Sequence, residues 1–329
     1  MKDQCMKQFR LLAFAGLFAL SAAQSNATLI YSKFTTDPSQ DGWQIFGDAA
    51  LFHWDSADQN LAVTWDSSQT NSYYYHLLDM TYTKTNDFLV MFDLKLNDIA
   101  VGTTPGKTYT FEIALGLLNT TNATGPEFIR GAGSAPNIVE FTYFPDDGSG
   151  TGASLSTLFI SAQNGFSSGG FTFPLGLATN VNYHVVMNYI ATNQTMFTTM
   201  TADGVHFGPI EDAYLGDTFD DFYVNAISIN SYSDEGQFPA FAGSVLAHGT
   251  VDNFAFASPP PVRYINATSP GTIEFGATTN WLYTLERTQD FQSWTNVLTT
   301  TAGRTGSLVL QDTNAPSSDA YYRVKADLP

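Results

Sequence analysis

Hydrophobic and polar residues alternate with a period of two along most of the chain. In the stretch FLVMFDLKL, apolar residues at 88, 90, 92, 94 and 96 share one face, while Asp93 and Lys95 share the other. The stretches YTFEIALGL, IVEFTYF, YHVVMNYI, TMFTTMT and FYVNAISI alternate in the same way. This period is typical of half-buried β-strands, and no segment has the apolar spacing of an amphipathic helix.

Clusters of turn-forming residues separate these stretches, among them TTPGK, DDGSGTG, NGFSSGG and TADG. Many short strands joined by turns rich in Gly, Pro, Asn and Asp are typical of β-sandwiches and jelly rolls. The pattern therefore predicts an all-β protein.

Three consecutive prolines at 259–261 interrupt the alternation. Proline cannot donate a hydrogen bond to a strand ladder, and a run of prolines favours an extended connector. We therefore predict one large β-domain at 28–258, a Pro-rich linker at 259–263 and a small β-module at 264–329. The two β-units, at 28–258 and 264–329, are each long enough to form a core of their own.

The first 27 residues have the organisation of a secretory signal peptide. MKDQCMKQFR carries three basic residues, LLAFAGLFALSAA is apolar, and small residues follow at Ser25 and Ala27. The apolar run is shorter than a membrane-spanning helix requires, and no second such run follows. We expect the leader at 1–27 to be removed and the protein to be secreted or held at the cell surface.

The charge balance narrows the range of partners. Without the leader the chain keeps ten basic and thirty acidic residues, a net charge of −20, which disfavours binding to nucleic acid or anionic membranes. Cys5 is the only cysteine and lies in the leader, so no disulfide stabilises the exported chain. Stability must then come from core burial or from a metal ion, and carboxylates are natural calcium ligands.

Several motifs resemble the concanavalin A-like (laminin-G-like) jelly-roll modules of secreted bacterial proteins. They are FTTDPSQDGW, LAVTWDSS, FLVMFDLKLND, NYHVVMNYIATNQTMFTTMTADGVHFGPI and VDNFAFA. The segment after the prolines resembles a C-terminal module of exported proteins from Verrucomicrobia-like bacteria, through YTLE at 283–286, SWT at 293–295 and YYRV at 321–324. These resemblances imply a large jelly roll followed by a small, fibronectin-like β-sandwich at 264–329.

The jelly-roll resemblance also implies a structural calcium ion. In such modules the last strand pairs with the first and donates an aspartate to the metal, and the matching residue here is Asp252. Asp37 and Asp41 would lie nearby if the terminal strands pair. Strict alternation would place Asp252 on the same side as Phe254 and Phe256, where an unpaired carboxylate is costly. The alternative is that Asp252 faces solvent or bonds its own turn.

A concave sheet that binds glycan is a further implication of the resemblance. The polar residues inside apolar strands are the candidates, with Tyr74 as an aromatic surface for the sugar's CH face. Glu112 and Glu140 could act as acid and nucleophile in a glycoside hydrolase. The alternative is that these residues form the ordinary solvated face of half-buried strands. The candidate glycan-binding residues are Asp93, Glu112, Glu140, His184, Asn188 and Tyr74.

Two enzyme families of this fold are excluded, because the Glu-x-Asp-x-x-Glu of laminarinase-type enzymes and the Gln-Ile/Val-His of alginate-lyase-type jelly rolls are missing. The sequence thus favours an exported, non-catalytic carbohydrate-recognition or surface-associated protein. A hydrolase or lyase with its site on the concave sheet and a ligand-free structural surface protein remain as alternatives.

Overall fold

The computed structural model describes residues 28–132, 135–146, 148, 150, 152–163, 167–237, 239, 242–269, 271–291, 293–316 and 320–327. The predicted signal peptide at 1–27 lies outside the described residues. Among the described residues, no helix combines the length and apolarity needed to cross a membrane.

Strands and short helical turns account for the larger part of the chain up to the prolines. The strands are β1 (Thr28–Ser32), β2 (Trp43–Phe46), β3 (Phe52–Asp55), β4 (Asn60–Asp66), β5 (Ser72–Tyr82), β6 (Phe88–Val101), β7 (Ile113–Leu118), β8 (Ile138–Phe144), β9 (Ser154–Ile160), β10 (Ser167–Thr172), β11 (Asn182–Ile190), β12 (Thr195–Ala202), β13 (Val205–Phe207), β14 (Ala213–Tyr214), β15 (Val224–Ser231) and β16 (Val245–Ser258). The helical elements are α1 (Thr120–Ala123) and 3-10 turns at Pro38–Asp41, Ala49–Leu51 and Arg130–Ala132.

These strands form two antiparallel sheets. In the described residues, sheet A has nine strands in the order β13-β12-β11-β6-β16-β4-β3, with β1 paired to β16 and β14 paired to β12. Sheet B has seven strands in the order β10-β9-β8-β7-β15-β5-β2. The terminal strands β1 and β16 pair, as predicted. The larger unit is the predicted jelly-roll sandwich.

The core lies between the two sheets and follows the predicted alternation. On β6, alternate residues from Phe88 to Leu96 are fully buried, whereas Met91, Asp93 and Lys95 are only half-buried. Trp43 and Trp65 are core residues, as expected from their neighbours. Residues 28–329 contain no cysteine, so this apolar core carries the stability of the domain.

After the prolines the chain forms a second, smaller unit. Its strands are β17 (Val262–Ser269), β18 (Thr272–Ala277), β19 (Leu282–Thr288), β20 (Thr295–Thr301), β21 (Gly306–Gln311) and β22 (Tyr321–Asp327). They form two three-stranded sheets, β17-β18-β21 and β20-β19-β22, around a core that includes Phe275, Trp281 and Tyr283. The prediction of an all-β chain with a large jelly roll and a small β-sandwich is confirmed.

The prolines connect the two units without a free linker. Strand β16 ends at Ser258 and β17 already begins at Val262, within the predicted linker 259–263. The Thr278 hydroxyl donates to the Pro260 carbonyl at 3.1 Å, and the Tyr283 hydroxyl donates to the Pro261 carbonyl at 2.5 Å. The linker carbonyls are therefore held by side chains of the small module.

Candidate functional site

Tyr74 does not belong to a glycan-binding surface. It is 5% exposed, and its ring stacks on Trp43 at a centroid distance of 5.2 Å in the core between the sheets. The prediction for Tyr74 is wrong because strand alternation turns it inward, while its neighbours Tyr73 and Tyr75 point to the other face of sheet B. Tyr73 is also fully buried, and Tyr75 is half-buried with its hydroxyl bonded to Gln44 at 3.0 Å.

Glu112 and Glu140 meet around one arginine. Glu140 is on β8 opposite Gly116 of β7, and Glu112 directly precedes β7. Arg130 Nη2 lies 2.6 Å from Glu140 Oε1 and 3.0 Å from Glu112 Oε2, and the Tyr232 hydroxyl donates to Glu140 Oε2 at 2.9 Å. We call Glu112, Arg130, Glu140 and Tyr232 the carboxylate cluster.

The carboxylate cluster is buried on the face of sheet B that points away from sheet A. Both glutamate side chains are 0% exposed, and Arg130 is about one-tenth exposed. The segments that carry Arg130 and Tyr232 cover this face, and Phe128 packs against Tyr232 there. Strand alternation does turn the glutamates away from the core, but these covering segments close the surface above them.

Burial changes the protonation behaviour of Glu112. Desolvation raises the pKa of Glu112 to about 8; the Arg130 charge opposes that shift and the Glu140 charge adds to it. Glu140 accepts three hydrogen bonds, from Arg130 Nε, Arg130 Nη2 and the Tyr232 hydroxyl. Glu112 Oε2 lies 3.0 Å from Arg130 Nη2, but among the described residues neither Glu112 oxygen has a partner with hydrogen-bond geometry.

This geometry corrects the prediction that Glu112 and Glu140 bind or cleave glycan. A general acid or nucleophile must come within hydrogen-bond reach of the substrate. Two fully buried carboxylates paired to a guanidinium have no such access. We therefore assign the cluster a structural role, in which the contacts of Arg130 with Glu140 and Glu112 hold the segment around Arg130 against sheet B.

Asp252 points outward, contrary to the expectation from strict alternation. The β16–β6 register shifts between Asp252 and Ala255, which marks a β-bulge, and Asn253 has a left-handed backbone with φ of 49°. The extra residue lets Val251 and Phe254 both face the core, because it breaks the period of two. Asp252 consequently lies beside Asp93 on the outer face of sheet A.

Asp93 and His184 form a pair on that outer face. They are opposite residues of β6 and β11, and His184 Nδ1 lies 2.6 Å from Asp93 Oδ1. Asn253 Nδ2 donates to the other oxygen of Asp93 at 2.8 Å. A carboxylate on Nδ1 fixes the imidazole orientation and leaves Nε2 for another partner. The His184 side chain is 39% exposed, so that partner can come from solvent.

The outer face of sheet A continues from this pair into a cavity of about 200 Å³. Alternate outward positions of β11 supply His184, Val186 and Asn188 to its lining, and the small module contributes Trp281. Three residues predicted to bind glycan therefore share one surface, namely Asp93, His184 and Asn188. This surface belongs to sheet A, whereas Glu112 and Glu140 lie at sheet B. We call this cavity the outer-face pocket.

The residues predicted to hold calcium do not form a ligand cage. Asp37 Oδ1 accepts hydrogen bonds from the backbone and hydroxyl of Ser39, and Asp41 Oδ2 accepts from Thr36. Asp252 is bonded through both carboxylate oxygens to Asn253. In the described part of the chain, no group of three or more His, Cys, Asp or Glu side chains could hold a metal ion. These residues therefore do not fit calcium, which needs six to eight oxygen ligands.

Partial burial changes the pKa of Asp252. Desolvation raises the pKa of its carboxyl, the Asn253 backbone N–H opposes the shift, and the nearby Asp93 charge adds to it. The two aspartates thus repel each other, and Asn253 bridges them by donating to both.

Sequence patterns did not identify the partners that define these sites. Arg130 lies in a loop without periodicity, and Trp281 lies in the other module, so no local spacing connects either residue to its partners. The sequence pair Asp252-Asn253 did carry a signal, because Asn adopts the left-handed conformation more readily than most residues.

The sequence matches no protein-family model and no curated protein. In fold the chain is similar to an alginate lyase of family PL-14 from Aplysia kurodai (11% identity over 70% of this chain and 98% of that one, TM-score 0.44). It is also similar to the lectin UEA-II in complex with galactose (14% identity over 72% of this chain and 99% of that one, TM-score 0.42). A third similar structure is winged bean acidic lectin in complex with methyl-α-D-galactose (10% identity over 71% of this chain and 98% of that one, TM-score 0.42). At such identities the chemistry of this chain must be judged from its own side chains.

Proposed function

We propose that the protein is an exported, non-catalytic carbohydrate-recognition protein that binds glycan at the outer face of sheet A. The observation that carries the proposal is the pair of Asp93 and His184 at the outer-face pocket. A hydroxyl group both donates and accepts hydrogen bonds, so it suits an imidazole nitrogen in either protonation state. Asn188 and Trp281 add an amide and an indole to the same lining.

Two features support recognition without catalysis. The carboxylate pair that a hydrolase would need is buried under Arg130 and Tyr232. Among the residues that the structure describes, His184 is paired with the carboxylate of Asp93, and no acidic side chain lines the outer-face pocket to serve as a second catalytic group. The signal peptide at 1–27 supports export, and the C-terminal module at 264–329 is proposed to be of the Verrucomicrobia type, on the motifs that resemble it.

A glycan array tests this function with the mature chain and two histidine variants. His184→Ala removes the imidazole at the pocket, whereas His248→Ala removes an exposed histidine that is paired to Asp98 at 2.8 Å on the same sheet. We expect wild type and His248→Ala to bind the same glycans and His184→Ala to bind about tenfold more weakly, the loss expected for one hydrogen bond.

Equal binding by wild type and His184→Ala would contradict the proposed site. No binding to any glycan would contradict carbohydrate recognition and favour the ligand-free structural protein. Release of reducing or unsaturated sugar ends from a bound polysaccharide would contradict the non-catalytic assignment.

A further inference from the structure

We infer that the small C-terminal module is one wall of the binding site, and that the outer-face pocket takes a single uncharged sugar ring held between the two units. This inference rests on the proposed carbohydrate function and specifies its ligand. Removing or displacing the small module would then abolish binding, although His184 lies on the jelly roll.

The floor of the pocket is a patch on the outer face of sheet A. Outward residues of β6 and β11 pair across the strands, with Met91 opposite Val186 and Leu89 opposite Asn188. His184 lies at the exposed end of the patch. An apolar floor with polar side chains at its ends matches a sugar ring, which has an apolar CH face and hydroxyl groups at its edge.

The opposite wall comes from the prolines and the small module, and several contacts fix it relative to the floor. Pro260, Pro261 and Trp281 line it. The Ser258 hydroxyl donates to the Asp87 carbonyl at 2.8 Å, just before β6. Met91 of the floor packs against the core of the small module, of which Ala257 of β16 is also part. The two units therefore share apolar contacts directly beside the cavity.

Both walls carry a buried polar atom that lacks a partner. Within the described part of the chain, neither Asn188 Oδ1 nor Trp281 Nε1 has a hydrogen bond. Leaving such a group unpaired costs more than a typical hydrogen bond contributes, so native proteins rarely keep one without a reason. One is an acceptor on the floor and the other a donor on the facing wall. Both atoms are shielded from solvent in the unliganded protein, so a ligand hydroxyl would pair with them once the Asn188 and Trp281 side chains turn these atoms toward the cavity.

The size and charge of the pocket define the ligand class. A volume of about 200 Å³ is below the ~300–1,000 Å³ of pockets for drug-sized ligands, which indicates one ring and not an oligosaccharide segment. Among its described lining residues there is no Lys, Arg, Asp or Glu, and His184 is already paired to Asp93. Together with the net negative charge of the chain, this favours neutral sugars over uronic acids.

The test is calorimetric titration of the mature protein with a panel of methyl hexopyranosides and with glucuronic and galacturonic acid. Trp281→Phe keeps an aromatic ring but removes the N–H, and Asn188→Leu replaces the unpaired amide with an apolar side chain of similar size. Trp294→Phe is the matched control, because Trp294 lies in the same module, stacked on Arg323 and outside the pocket.

We expect at least one neutral glycoside to bind, the uronic acids to bind at least tenfold more weakly, and Trp281→Phe and Asn188→Leu each to lose about tenfold in affinity. Trp294→Phe should bind like wild type. Because Asn188→Leu removes an unpaired buried acceptor, its melting temperature should rise by about 2–4 °C even as binding weakens. A weaker affinity in a more stable variant cannot be explained by misfolding.

Affinities of Trp281→Phe and Asn188→Leu within twofold of wild type would overturn the role of the small module. Tighter binding of the uronic acids would overturn the neutral ligand class. If wild type binds arrayed glycans in a His184-dependent manner but none of the glycosides, the single-ring inference fails and the proposed function stands. If wild type binds no glycan at all, both fail.

Discussion

The buried Glu112 makes the stability of the jelly roll depend on pH in a specific direction. Desolvation raises its pKa from the ordinary value of 4.5 to about 8 in the folded protein. Between these two pH values the native state keeps a proton that the unfolded chain has released. Each pH unit in this interval therefore lowers the free energy of unfolding by about 1.4 kcal/mol.

Glu112→Gln removes this dependence because glutamine has nearly the same shape and does not titrate. At about pH 4 and below, the wild type and the variant should be similarly stable, because Glu112 is then mostly protonated in both the folded and the unfolded state. As the pH rises to about 8, the wild type should lose about 5 kcal/mol relative to the variant, and above pH 8 the difference should stay constant. The variant is thus expected to be the more stable protein at neutral and alkaline pH.

Urea unfolding of both proteins between pH 4 and 9, followed by tryptophan fluorescence, measures this difference directly. Comparing the two proteins at each pH cancels the titration of all other groups. Glu127→Gln is the matched control, because Glu127 is exposed on the same segment three residues before Arg130. Its stability relative to wild type should not change over this range.

A difference between wild type and Glu112→Gln that does not change with pH would refute the reasoning. Glu112 would then be ionised in the folded protein throughout, and the attraction to Arg130 would have offset the whole cost of burial. A variant that loses stability at pH 8 would lead to the same conclusion, since breaking a compensated buried ion pair is strongly destabilising.

Two further predictions concern packing and metal. Gly116→Ala should destabilise the jelly roll by about 1–3 kcal/mol in thermal or urea unfolding, because a Cβ at this position would lie 2.3 Å from the Val139 carbonyl oxygen. Gly216→Ala is the control, because a Cβ there would meet no atom within 4 Å. Equal stability of the two variants would count against this packing. EDTA should leave the melting temperature unchanged, because the carboxylate oxygens of Asp252 accept hydrogen bonds from Asn253. A melting temperature that falls with EDTA and recovers when calcium is added would support the calcium prediction instead.

The pocket and the carboxylate cluster both contain buried polar atoms without a hydrogen bond, namely both oxygens of Glu112 in the cluster and one atom each of Asn188 and Trp281 in the pocket. They differ in their surroundings. In the cluster, Glu112 lies 3.0 Å from Arg130 and is closed off by the segment that carries this arginine. In the pocket, Asn188 and Trp281 line a cavity, which leaves room for a ligand.

The candidate site was only partly predictable from the sequence. Mid-strand polar residues such as Asp93 and His184 stood out against the apolar alternation, and they do lie together on one outer face. The same criterion selected Glu140, which is buried. A period of two shows which face of a strand a residue occupies, but it contains no information about what covers that face.

The amino-acid sequence by itself determined the local structure of this protein. Alternating residues specified the strands, the turn clusters specified their ends, and the prolines at 259–261 marked where one unit ends and the next begins. These features depend on neighbours along the chain, which is why they can be recognised without a structure.

Only the tertiary structure decided which polar residues are accessible. The bulge at Asn253 turned Asp252 outward, Arg130 and its segment closed the face that holds Glu112 and Glu140, and the small module placed Trp281 over sheet A. Each of these outcomes depends on contacts between residues far apart in the chain. Such contacts are set by packing and charge compensation across the whole molecule, and no local pattern records them.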